Sequence, residues 1–372
     1  MPRFRGLEAP LECNWGGLVA NLRREGTPDR VYHIELFHDA EVRDAIAERF
    51  GLVDGLRPDE PHFEKRKLVA VNRFCGFDYV VAGLVGFDFP TRQTAVEDSA
   101  ALKRAGGRSF QDEHTGPIST WEDFEKYPWP DPTAAGATRD LEWYEENLPQ
   151  DMCIIGGLAS HFAELLSWLM GYETFCFALY EQRDLVSAVA RRLEELYGVW
   201  MERVLEFRRV RILWGSDDMG YKTGLLVGPR DMREFVLPGH KKAAAMAHAA
   251  GRLYILHSCG NLRAILPDLV DDVRIDGKHS FEDTIEDVRD AKQTYGRKVA
   301  LLGGIDVDFL CRADENAIRR RVRETLDVCL PGGGYCLGTG NTVANYIPLD
   351  NYLAMVDEGR LYDGKWGQTP FF

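Results

Sequence analysis

From residue 150 onward the chain alternates short apolar runs with longer stretches of helical periodicity, and no other feature restricts its fold as much. Cys153-Ile154-Ile155-Gly156-Gly157 reads as a strand, followed by helical stretches through Tyr180 and from Asp184 to Phe207. Further strands are read at 211–215, 253–256, 273–278, 299–303 and 334–337. Helical stretches separate them at 229–250, 261–270, 285–295 and 315–329, and a last helix is expected over 349–359. Upstream, residues 79–85 form one more apolar run bounded by glycine. Strands this apolar are buried on both faces, and helices between them build parallel βαβ units. The seven strands fall one short of a closed barrel. The missing one is expected in residues 86–150 or in the apolar run 30–36. A doubly wound open sheet is the alternative, but no Gly-x-Gly-x-x-Gly opens a helix after a strand. The expectation is therefore an α/β protein, a (β/α)8 TIM barrel with an N-terminal helical extension.

A length of 372 residues suits one such barrel with insertions. Residues 1–70 are expected as a helical segment packed on a barrel that spans 71–372, with one helix starting near Thr27-Pro28-Asp29-Arg30 and an amphipathic one from Asp39 to Phe50. The 59 acidic residues exceed the 45 basic ones, giving a net charge of −14, which argues against a nucleic-acid partner. Arg319-Arg320-Arg321-Val322-Arg323 lies in a helical pattern that also holds acids, and reads as a solvated face. No signal-like apolar leader and no run of about 18 apolar residues is present, so no membrane association is expected. The 8 cysteines are sparse and irregularly spaced, as reduced thiols are. A cytoplasmic enzyme is expected, its oligomeric state open and a homodimer among the options.

Polar groups follow nearly every strand. Asp217-Asp218-Met219-Gly220-Tyr221 follows one, His257-Ser258-Cys259-Gly260 the next, His279-Ser280-Phe281-Glu282 the next, and Gly303-Gly304-Ile305-Asp306 the one after. The last strand carries Cys336 and runs into Gly338-Thr339-Gly340-Asn341. In a barrel these ends converge on the face where catalytic groups sit. Residues two apart on extended chain point to one side, so His257 and Cys259 can share an ion. Cys336 at another strand end is a third candidate ligand and Glu282 a fourth, a set that suits Zn²⁺. The alternative is a buried histidine and two packing cysteines. Adjacent Asp217 and Asp218 point apart, one suited to capping a helix and the other to facing a cavity. His161, at a helix start, is a candidate substrate contact or a structural residue.

This ensemble resembles the uroporphyrinogen decarboxylase superfamily over nearly the whole chain. The resemblance rests on Asn21-Leu22-Arg23-Arg24 with Pro28-Asp29-Arg30-Val31, Pro128-Trp129-Pro130-Asp131-Pro132, Asp217-Asp218-Met219-Gly220 and Pro229 through Pro238. His257-Ser258-Cys259-Gly260, Gly303-Gly304-Ile305-Asp306 and the Cys336 strand complete it. It implies a (β/α)8 barrel. The Arg-Gln-Ala-Gly-Arg segment of the decarboxylases is missing, and Asp88 stands later than their catalytic aspartate. The corrinoid-dependent methyltransferase branch fits better, with His257, Cys259 and Cys336 matching its zinc ligands. That branch implies zinc, methylcobalamin or a corrinoid protein as partner, and a small thiol or methylated substrate. Asp218 and Tyr221 would then orient donor or acceptor, with His161, Asp217 and Asn341 as substrate contacts. The other readings are a uroporphyrinogen decarboxylase-like carboxy-lyase and a non-catalytic corrinoid- or tetrapyrrole-binding module.

Overall fold

The computed structural model describes residues 3–104, 107–112 and 114–363. In chain order the strands are β1 (Tyr79–Ala82), β2 (Gln93–Val96), β3 (Arg108–Gln111), β4 (Cys153–Ala159), β5 (Val210–Ser216), β6 (Gly220–Tyr221), β7 (Gly224–Leu225), β8 (Leu253–His257), β9 (Gly277–His279), β10 (Ala300–Leu302) and β11 (Tyr335–Cys336). Seven of them form one curled sheet in the order β1-β4-β5-β8-β9-β10-β11, all in parallel register. Every position of β8 to β11 is buried, as strands covered by helices outside and by side chains inside must be. Sequential order and parallel pairing make this the barrel arrangement rather than a doubly wound sheet, whose strand order reverses.

The eighth position of the wall belongs to residues 31–36. Ile34 N–H donates to Leu337 O at 2.9 Å and Leu337 N–H to Tyr32 O at 2.8 Å, a parallel bridge centred on His33 and Leu337. Toward β1 the ladder is replaced by one side chain. The Tyr79 hydroxyl donates to Glu35 O and accepts from Glu35 N–H, at 3.0 and 2.9 Å. Residues 31–36, within the segment before residue 70, thus supply part of the barrel wall. The helix expected to start at Thr27 is absent. The flanking helices are Trp15–Leu22 and Ala40–Arg49. Arg30 pairs with the buried Asp78 and lies over the Tyr32 ring at 4.3 Å, which holds this stretch extended.

Residues 86–150 give no described barrel strand; they form the antiparallel β2–β3 hairpin and the helices Trp121–Lys126 and Arg139–Asn147. The hairpin is tied to the barrel by Arg104 to Asp39 at 2.6 Å and by Arg108 to Asn345. The helix expected over 229–250 forms, but with a wider turn at Met232–Val236, where Leu237 N–H reaches back to Met232 O. Pro238 follows and has no N–H to continue the ordinary ladder, which favours that turn. Among the described residues no helix is long and apolar enough to cross a membrane.

Candidate functional site

The loops after β5 and β8 are laced together by backbone and side chain. Asp217 N–H donates to His257 O at 3.0 Å, Met219 N–H to Ser258 Oγ at 3.1 Å, and Asn261 N–H to Tyr221 O at 2.8 Å. Gly260 has φ +83°, and a Cβ there would lie 2.2 Å from Gly220 backbone atoms, so only glycine permits this approach. The lacing brings Asp218 against Cys259, whose N–H donates to Asp218 Oδ1 at 2.9 Å.

One ligand atom each from Asp218, His257 and Cys259 lies within 4.8 Å of the others. His257 Nε2 stands 3.2 Å from Asp218 Oδ1 and 3.4 Å from Cys259 Sγ. A tetrahedral zinc ion with bonds of about 2.0 to 2.3 Å sets neighbouring donors about 3.3 to 3.8 Å apart. The nitrogen thus stands from the oxygen and from the sulfur at about the separations one such ion spans, and the donor types suit zinc. Partial burial works to raise the Asp218 carboxyl, but the His257 imidazole and the Cys259 N–H draw it down to about 2. Burial, then the Asp218 charge, push the Cys259 thiol well above the usual range, against the Asn341 hydrogen bond.

Cys336 stands apart from this group. Its sulfur accepts from Asn21 Nδ2 at 3.4 Å, with Asp78, Arg30 and Lys292 as its charged neighbours. Asp78 precedes β1, so Cys336 serves the amino-terminal end of the barrel. The chain after β11 stays extended, bridging Leu337 to His33 and Thr339 to Ile305, and reaches the mouth at Asn341. Gly340 makes that passage possible, since a Cβ there would lie 2.2 Å from Phe281 O. Asn341 Nδ2 donates to Cys259 Sγ at 3.0 Å and so occupies the place that spacing assigned to Cys336. Glu282 lies outside the ligand group but within electrostatic reach of Cys259 and Asp218. Burial and then the charges of Asp306 and Asp218 raise its carboxyl.

Asp217 does not reach a cavity. It is fully buried, accepts from Ala163 N–H and Glu164 N–H at 2.9 Å each, and meets His240 Nε2 at 2.8 Å. It thereby caps the helix Phe162–Met170. His161, at the start of that helix, holds Glu164 Oε2 at 2.7 Å and stacks on Trp168. Burial opposes protonation of His161, but the Glu164 hydrogen bond and charge outweigh it and raise the imidazole.

Two cavities adjoin each other, and the smaller is bordered by Asp218 of the three-residue group. One of about 600 Å³ is walled by Gly83, Phe87, His161, Trp168, Tyr197 and Trp200 among others. The second, about 350 Å³, is lined by Glu164, Trp168, Tyr172, Asp218 and Tyr221. Gln111 of the hairpin and Trp168 border both. No lysine or arginine is among their described lining residues. The Tyr221 ring, 46% exposed, packs edge-on to Tyr172. Sequence reasoning assigned no role to Glu164, Trp168, Gln111 or His279. Only His279 carried a readable signal, as a histidine at the strand end next to that of His257.

A uroporphyrinogen decarboxylase (URO-D) family model matches residues 113–362. The chain is 26% identical over 216 residues to a methylcobamide:CoM methyltransferase MtaA of Methanosarcina barkeri, covering 57% of this chain and 59% of that protein. It is 30% identical over 132 residues to a methylated-thiol–coenzyme M methyltransferase of Methanosarcina mazei, covering 35% and 33%. The matched stretches thus span less than two thirds of these relatives. In structure the chain is similar to a methyltransferase from Methanosarcina mazei, with a TM-score of 0.65 at 20% identity over 92% of this chain and 97% of that one, a likeness of fold.

Proposed function

The chain belongs to the uroporphyrinogen decarboxylase family, and from that premise we propose that it is a zinc-dependent methyltransferase. It would move a methyl group between a corrinoid, as methylcobalamin or on a partner protein, and a small thiol or methylated substrate. The observation that carries this is the meeting of Asp218 Oδ1, His257 Nε2 and Cys259 Sγ at the barrel mouth, beside cavities of small-molecule size. The names of the methyltransferase relatives support the same reaction class.

In this reading Asp218, His257 and Cys259 hold the ion and leave a further position open, as catalytic zinc sites do. When bound, zinc supplies the Lewis acidity that keeps a substrate thiol ionised near neutral pH. The Asn341 amide steadies the Cys259 sulfur with an N–H donor. Glu282 is the candidate for the open position in the absence of substrate. Tyr221 and Asp218 line the smaller cavity and would orient what enters it. His161, held by Glu164, offers a polar contact from the wall of the larger one.

The carboxy-lyase alternative needs cations for a polycarboxylate tetrapyrrole, and the described cavity linings offer no lysine or arginine. The test is elemental analysis of the purified protein, then incubation with methylcobalamin and a panel of thiols while the corrinoid spectrum is followed. About one zinc per chain with thiol-dependent demethylation is expected. Metal-free protein that decarboxylates uroporphyrinogen would overturn the reading. So would zinc-loaded protein that binds corrinoid without turnover of any thiol or methylated donor.

A further inference from the structure

His257 has two ring nitrogens, and only Nε2 faces Asp218 and Cys259. Its Nδ1 lies 2.7 Å from Nδ1 of His279, which is buried beneath the site. The sheet builds this contact, because His257 and His279 are register partners at the ends of β8 and β9. On its far side, His279 Nε2 lies 3.4 Å from Thr339 O. The His279 ring also packs edge-on against Trp214, which fixes its plane. Gly303, at φ +77°, leaves room for it: a Cβ there would fall 3.0 Å from the His279 ring and 2.1 Å from Thr339 O.

A carbonyl oxygen only accepts, so the hydrogen between His279 and Thr339 is on His279 Nε2. Two nitrogens 2.7 Å apart share one proton. Placing it on His279 would make a cation of a ring with no exposed surface, which burial disfavours. The shared proton therefore belongs to His257 Nδ1, and His279 Nδ1 accepts it. That leaves His257 Nε2 aimed at the space between a carboxylate oxygen and a sulfur, where it holds a proton toward Asp218 in the metal-free protein and offers a lone pair to a bound cation. Three electron-pair donors converging there call for a cation.

We propose that His279 is a positioning residue that fixes the tautomer and ring angle of His257, through a relay running from Thr339 O to the metal-facing nitrogen. The inference rests on the zinc reading above. Metal-bound histidines are held through their second nitrogen by an acceptor, commonly a carboxylate or a carbonyl, and losing that acceptor costs about 10- to 100-fold in affinity. Here the acceptor is a second neutral imidazole, with the backbone carbonyl one step further out.

The test compares wild type, His279→Leu and His279→Asn. An asparagine Oδ1 can stand near the lost Nδ1 and accept from His257, whereas leucine cannot. Zinc affinity is measured by competition with a chromophoric chelator, and the tautomers of both rings by nitrogen-15 NMR of the metal-free wild type. Zinc affinity is expected to fall about 10- to 100-fold in His279→Leu and to recover most of that loss in His279→Asn. The spectra should show Nδ1–H on His257 and Nε2–H on His279. Tight zinc binding by wild type and His279→Leu alike would overturn the positioning role and leave the metal reading standing. If wild type binds no zinc, the metal reading fails; the spectra then decide the relay, and a His257 Nδ1 that carries no proton overturns it. Should His279→Leu not fold, the His279→Asn affinity and the wild-type spectra decide in the same way.

Discussion

Asp217 and Asp218 are neighbours in the chain with unrelated surroundings. The first is buried beneath a helix terminus and against His240, and the second borders a cavity beside His257 and Cys259. Asp217→Ala strips a buried imidazole of its partner and two helix N–H groups of their acceptor. A loss of roughly 3 to 5 kcal/mol in chemical denaturation is expected, by analogy with broken buried pairs. Asp218→Ala should behave the other way, with metal-free stability within about 1 kcal/mol of wild type and zinc affinity sharply reduced. The spacing of His257 and Cys259 was legible because two-residue alternation holds on any extended stretch. The third member of the cluster was not. A sulfur in the last strand looks equivalent to one at its end, and only the closed wall shows that the mouth lies at Asn341, five residues beyond Cys336. The carboxylate that takes its place, Asp218, was read as a catalytic group instead.

At the scale of elements, the alternation of apolar and helical stretches located the seven strands of the sheet because each is short and buried on both sides. The eighth wall segment lies in the run 30–36, one of the two places where the pattern expects the missing strand. His33 and Glu35 interrupt the apolar side chains of residues 31–36, and their pairing is a single bridge and one tyrosine hydroxyl, which makes the signal weak. The long stretch after β1 proved to hold a hairpin whose only claim on the site is position: Gln93 and Gln111 face the larger cavity, and Gln111 the smaller as well. Arg108 anchors that hairpin to Asn345 and sits 3.5 Å from Asp39 and from Asp98. Arg108→Ala is expected to raise the substrate KM several-fold and to speed proteolytic cleavage within the hairpin. The global melting temperature should change little, since partly exposed ion pairs contribute about 1 kcal/mol or less. An unchanged KM would mean the hairpin does not shape the substrate space.

For the molecule as a whole, three buried groups near the closing wall contribute to how stability varies with pH. Burial lowers His33 and His38 to about 3, helped by Arg30 and Arg360 at the first and Arg43 at the second. Burial raises Glu35 to about 8 even though Thr339 donates to it. Below about 6.5 the unfolded chain takes up two histidine protons that the folded one refuses, while folded Glu35 keeps one that the unfolded chain has lost above about 4.5. Between about 4.5 and 6.5 these groups make stability rise with pH by about 1.4 kcal/mol per unit, the net of two protons against one. From about 6.5 to 8 Glu35 alone remains, and stability falls at a similar slope. In denaturation of metal-free protein, Glu35→Gln is expected to gain stability relative to wild type as the pH rises from about 6.5 to 8. None of this was readable in the sequence, because it depends on which of nine histidines the wall encloses. The central claim is that Asp218, His257 and Cys259 hold one divalent cation at the mouth, and absorption spectroscopy of the cobalt(II)-substituted protein tests it most directly. A thiolate-to-cobalt band is expected in wild type and in Cys336→Ser and should vanish in Cys259→Ser. A band that survives in Cys259→Ser, or disappears in folded Cys336→Ser, would contradict the account.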